Sequence, residues 1–267
     1  MRARDLLWGA ALLLALSVRF TLETALVNRL PAASAVSSAV VPAAIALMLL
    51  GWGTKARSPL SRHDRLLAVA VGVGVWLAPF LVASVRGTDA PPGAEVLFLT
   101  TAVWGLLIVV AGSAARWNPS APLRIVGAML GVTGAVGILA NWERPSSFSP
   151  FIRYPMNEAN MLVAGVLWGL AIVGLAALVR RHGALAAVRA IAAPAAVVSA
   201  VAAIAIDRGR VALAVRPDVW PFGLVAAAAT FGVLLAWAEL LQRRRPETIA
   251  AAYLLPPVAV TFFSTMS

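Results

Sequence analysis

Cysteine is absent from the 267 residues, so neither a disulfide framework nor a thiolate metal site can be built. Charge is scarce. Only 12% of the residues are Asp, Glu, Lys or Arg, where a soluble domain of this size uses roughly a quarter to wet its surface. Histidine occurs twice, as His63 and His182, each in a basic connector beside Arg62 or Arg181. That setting reads as solvated loop and offers no imidazole cluster for a metal. A GxSxG nucleophile elbow and a Walker A loop are missing as well. The chain therefore reads as no enzyme, with no catalytic residue, no metal and no cofactor. Without a nucleotide site, any transport it performs would be secondary, driven by a proton or solute gradient.

What is abundant is apolar sequence: 61% of the residues are hydrophobic and the mean hydropathy is +0.88. A helix needs ~18–20 such residues to cross a hydrocarbon core of about 30 Å. Segments 97–112 and 161–179 lack the period-two alternation of barrel strands, so the expected class is an all-α polytopic bundle. Nine spans are predicted, near 6–27, 33–53, 66–85, 94–115, 123–141, 160–179, 187–206, 220–241 and 247–267. The seventh is Ala-rich with Arg189 near its start. The N-terminus admits a second reading as a signal peptide, with Arg2 and Arg4 before an apolar stretch and small residues near 15–17. Cleavage there would remove a segment that has a counterpart later in the chain.

A net charge of +11 and a pI near 11.7 could point to nucleic acid, but the arginines sit in short clusters between apolar runs. No nucleic-acid partner is expected; the lipid bilayer and a small-molecule substrate are. With the N-terminus in the cytoplasm, alternation leaves fourteen Lys and Arg on the inner side and seven on the outer, with Arg19 inside a span. By the positive-inside bias the chain is a multi-pass inner (plasma) membrane protein with its C-terminus outside.

Sliding the chain by 152 positions lays 25–36 over 177–188 and Pro42 over Pro194, with ten identities in twenty between positions 25 and 44. Residues 1–145 are read as a first five-helix repeat and 155–267 as a second within one membrane domain. Five intervening helices, an odd number, invert the second copy. Inverted repeats place a substrate site near the midplane. The second copy stops at Ser267, opposite Ala115, so the expected architecture is five-plus-four.

Three segments carry a resemblance to a known family. They are Asn157-Glu-Ala-Asn-Met-Leu-Val-Ala-Gly-Val-Leu-Trp168, Leu123-Arg-Ile-Val-Gly127-Ala-Met-Leu-Gly131 and Tyr253-Leu-Leu-Pro256-Pro257. With the five-plus-five plan they resemble the EamA-type exporters of the drug/metabolite transporter superfamily. Two features depart from that family: Gly112-Ser113 stands where it has Gly-Glu, and no tenth helix follows. The resemblance implies a secondary transporter exporting small metabolites or amino acids by alternating access. The alternative is a non-transporting membrane subunit or scaffold. A second copy of the chain, or a partner donating the missing helix, completes the expected partners.

Arg19 and Glu23 are the sharpest candidates. Residues 6–18 are too few to span, so the first helix must run on through both charges. Ionisable groups in the bilayer cost ~3 kcal/mol on insertion scales and so pair and face protein or a cavity. The pair reads either as a substrate- or proton-binding site or as a neutral structural pair with Arg19 snorkelling to the interface. Trp76, Trp104 and Trp168, with Thr100, Thr101 and Tyr253, are candidate lining, or else packing between helices. Pro42, Pro79, Pro194, Pro256 and Pro257 interrupt helices as hinges, cavity-facing breaks or static kinks.

Overall fold

In the computed structural model, residues 3–50, 60–86, 155–208 and 210–252 are described, together with 105–107, 109, 110 and 126. Among the described residues all regular structure is helical. Six long helices carry it: α1 (Ala3–Val27), α2 (Ala32–Leu50), α3 (Arg62–Arg86), α4 (Pro155–His182), α5 (Ala184–Asp207) and α6 (Trp220–Leu241). A 3-10 turn (Arg210–Val215) precedes α6, and a short α7 (Pro246–Ala252) follows it. All six long helices are long and apolar enough to cross a membrane, and the chain is a membrane-embedded helical protein. They match the first, second, third, sixth, seventh and eighth expected spans. Most of the fourth, fifth and ninth expected spans lies outside the described residues.

Local chemistry sets the ends. Ser61 caps α3 by accepting from the Asp64 backbone N–H at 3.1 Å, while its hydroxyl donates to the Asp64 carboxylate at 2.8 Å, a serine N-cap. Gly183 alone separates α4 from α5 at φ +87°, a left-handed turn that costs glycine least. Pro42, Pro79 and Pro194 lie inside α2, α3 and α5. Each removes one backbone donor.

The helices pack mainly across the two halves of the sequence: α1 on α6, α3 on α4 and α2 on α5, with α2 also on α6 and α3 on α5. Exchanging α1, α2 and α3 with α4, α5 and α6 maps this set of pairings onto itself. The principal pairs are antiparallel. Asp64 meets Arg181 and Val71 meets Gly174, while Asp5 meets Arg244 and Arg29 meets Asp218. The short turns α1–α2 and α4–α5 then put the starts of α1, α3 and α5 at one end of the bundle, and their C-termini at the other.

Ion pairs tie the first end. Arg244 reaches Asp5 at 2.7 Å, Arg4 reaches Glu239 at 3.5 Å, and Asp64 takes Arg181 at 2.6 Å and His182 at 3.1 Å. His182 is thus no solvated loop residue. It closes α4 with a side chain only 9% exposed, because the antiparallel register delivers it to the start of α3. His63, in the first turn of α3, is exposed as expected.

Candidate functional site

The buried apolar residues divide into two cores. The first lies toward the ion-paired end and includes Leu12, Leu16, Ala44, Val75, Ala192 and Val233. The second, toward the other end, includes Leu26, Val40, Trp76, Ala195 and Ala226. Five helices pass from one core to the other, and the residues at the crossing differ from those on either side. On α1 the crossing holds Arg19 and Glu23; on α2, Pro42; on α5, Pro194; on α6, Thr230. On α3 the two cores share one stretch, Val75 and Ala78 belonging to the first and Trp76 and Ala83 to the second.

α1 presents its pair inward. Leu12, Leu16, Arg19, Glu23 and Leu26 recur at steps of three and four and share one stripe. The three leucines are buried, whereas Leu7 and Leu14 on the opposite side are exposed. The Arg19 and Glu23 side chains keep 11% and 17% of their exposure, and Arg19 Nε donates to Glu23 Oε1 over 2.6 Å. A snorkelling arginine would extend toward water. This one bends along its own helix to its partner. Ala15 against Gly232 and Arg29 against Asp218 fix the register with α6, bringing the alanine run 226–229 level with the pair. Small side chains let the two backbones approach closely there.

The tryptophans separate. Trp76 is buried and stacks on Phe80, ring centroids 5.0 Å apart and planes 11° from parallel. Its Nε1 has no hydrogen-bond partner among the described residues. Trp168 belongs to the first core, 6.1 Å from Trp237 and tilted by 53°. A Cβ added to Gly105 would sit 2.1 Å from the Trp168 ring and 3.2 Å from the Gly165 carbonyl. That is helix packing around a ring. Trp76 and Trp168 thus belong to different core clusters. Thr100, Thr101, Trp104, Tyr253, Pro256 and Pro257 lie outside the described residues.

Two further residues come from the structure rather than the sequence reading. Thr230 is fully buried on α6; a lone hydroxyl after four alanines was the available signal. Asp207 ends α5 as a buried carboxylate that accepts from both the backbone N–H (2.6 Å) and the hydroxyl of Ser34. It serves α2 as an N-terminal cap from another helix, where unpaired N–H groups and the helix dipole favour an anion. Beside it Ser37 donates to the Ser199 carbonyl at 2.7 Å. This polar α2–α5 seam, together with Arg29 over the Phe222 ring at 4.1 Å, holds the second end of the bundle.

No protein-family model matches the chain, and no curated protein does. A crystal structure of a protein is similar along its whole length, with a TM-score of 0.69 and 19% sequence identity over 100% of this chain and 89% of that one. At that identity the likeness shows the fold alone.

Proposed function

We propose that this chain is a secondary transporter that carries small metabolites or amino acids across the inner membrane, working by alternating access as the EamA-type resemblance implies. The observation that carries the reading is the Arg19–Glu23 pair, held on the protein-facing stripe of α1 at the level where the two apolar cores meet. Burying an ion pair in a membrane protein adds little stability that leucines would not. A pair retained at such a level is better explained by contact with a solute or proton.

The exchange symmetry of the helix pairings supports an inverted repeat, and a solute site between its halves follows from that plan. The chain then rocks between two closures. One is the ion-paired end, assigned to the cytoplasm by the arginine bias; the other is the α2–α5 seam with the Arg29 contact. The Pro42 and Pro194 interruptions lie between them and serve as hinges.

Counterflow in proteoliposomes tests this with a panel of amino acids and small amphipathic metabolites, run beside an Arg19→Ala/Glu23→Ala variant. Saturable exchange of a panel member by the wild type, lost in the folded variant, is the expected result. Silence of well-folded wild-type protein across the panel would count against transport and favour the subunit or scaffold reading.

A further inference from the structure

Side-chain hydroxyls in apolar helices satisfy themselves on nearby carbonyls. Here Thr21 bonds to Ser17, Ser38 to Ala35, Ser84 to Leu81 and Ser199 to Ala196, each to a carbonyl of its own helix. Ser34 and Ser37 bond across to α5, and Ser61 bonds to Asp64. Thr230 breaks the pattern. Its Oγ1 is buried with no hydrogen-bond partner among the described residues, although the carbonyl of Ala226 lies one turn away. The Trp76 indole N–H is in the same state, and Ala226, one turn from Thr230, belongs to the apolar core that holds Trp76. Under the exchange of halves by 152 positions, Trp76 and Thr230 lie within two residues of equivalence. Two buried donors, one on α3 and one on α6, thus lie at or one turn from the same apolar core, and each carries the penalty of an unmade bond.

We propose that Thr230 and Trp76 are the hydrogen-bond donors of the solute site, and that the solute they take is net-neutral, flat and bears a carbonyl-type acceptor. Trp76 Nε1–H can only donate, and a threonine hydroxyl donates or accepts, so an acceptor satisfies both. Among the described residues the charges at this level are Arg19 and Glu23, paired with each other at 2.6 Å. A solute with net charge would enter without a counter-charge in a low-dielectric setting, which a neutral one avoids. The Trp76–Phe80 stack puts aromatic rings beside the donor, and a flat ring matches their geometry. This inference rests on the transporter reading for the existence of a solute site, but binding is measured without any gradient or flux. Counterflow and binding can therefore fail separately.

The test is thermal unfolding of detergent-purified full-length protein with three probes that share a ring and differ in charge: benzamide, benzoate and benzylammonium. Benzamide should raise the wild-type melting temperature in a saturable way, and the two ions should not. Thr230→Val, nearly isosteric, should melt no lower than wild type without a probe, since it removes an unsatisfied group. It should weaken benzamide binding about tenfold, the worth of one buried hydrogen bond. Thr230→Ser keeps the hydroxyl and should bind near wild type; Trp76→Phe keeps a ring against Phe80 and should lose a similar factor in binding. Three results would each overturn the proposal: no benzamide shift in the wild type, equal binding of either ion, or a Thr230→Val protein that melts several degrees lower on its own. The last would mean that the hydroxyl is already partnered.

Discussion

Arg19 and Glu23 set up an asymmetry between single and double substitution. Removing one partner leaves the other charge buried and uncompensated, at about 3–5 kcal/mol, whereas replacing both by apolar groups is close to neutral. Arg19→Leu is therefore expected to melt well below wild type, and Arg19→Leu/Glu23→Leu to recover most of the loss. Thermal unfolding in one detergent checks this, and equal melting of all three proteins would show that the pair is solvated. The placement of these charges was legible because thirteen apolar residues cannot span a bilayer. Which way they faced was not. That depended on Leu12, Leu16 and Leu26 being covered while Leu7 and Leu14 were not, and an almost wholly apolar helix gives little amphipathic contrast to announce its buried side. His182 was misjudged for a related reason. A histidine in a basic connector looks solvated until a distant Asp64 is folded against it.

At the scale of single helices, glycines report where backbones touch. A Cβ on Gly72 of α3 would lie 2.7 Å from the Ile191 carbonyl and 2.8 Å from Pro194 of α5, whereas one on Gly9 of α1 would meet nothing within 4 Å. Gly72→Ala should therefore destabilise by about 1–3 kcal/mol through overpacking. Gly9→Ala should be neutral or stabilising, by up to ~1 kcal/mol of helix propensity. Comparable melting of the two variants would mean that α3 and α5 do not cross there. The helices themselves were legible to within a few residues. The errors lay at their ends, because Asp64, Arg181 and His182 continue the helices into polar sequence where caps and ion pairs replace hydropathy. The turn at Arg210–Val215 is an apolar run too short to span, and nothing in it marks a 3-10 conformation.

The whole bundle makes a prediction that a cysteine-free chain is well suited to test. Ala15 and Gly232 face each other with a Cβ added to Gly232 only 3.4 Å from that of Ala15, and Gly74 faces Ala171 at the same separation. Both are close to the Cβ–Cβ spacing of disulfides. Ala15→Cys/Gly232→Cys and Gly74→Cys/Ala171→Cys are each expected to cross-link on mild oxidation, seen as a gel-mobility shift reversed by reductant. Failure of both would contradict the pairing of α1 with α6 and of α3 with α4. The repeat expected from the sequence made this pairing conceivable, but alanine-rich helices are nearly interchangeable as packing surfaces. Only the register of specific contacts, such as Arg181 on Asp64 and Arg29 on Asp218, selects one arrangement.

The pairing of α1 with α6 also bears on how the chain is made. The residues that cover Arg19 and Glu23 follow them by about two hundred positions, which at ~5–20 residues per second of synthesis means roughly 10–40 s during which the first helix stands in lipid without its neighbour. A lone charge would wait badly there. Two opposite charges four residues apart on one helix need nothing else to neutralise each other, so the nascent segment carries its own escort through insertion and exchanges lipid for protein only when α6 arrives.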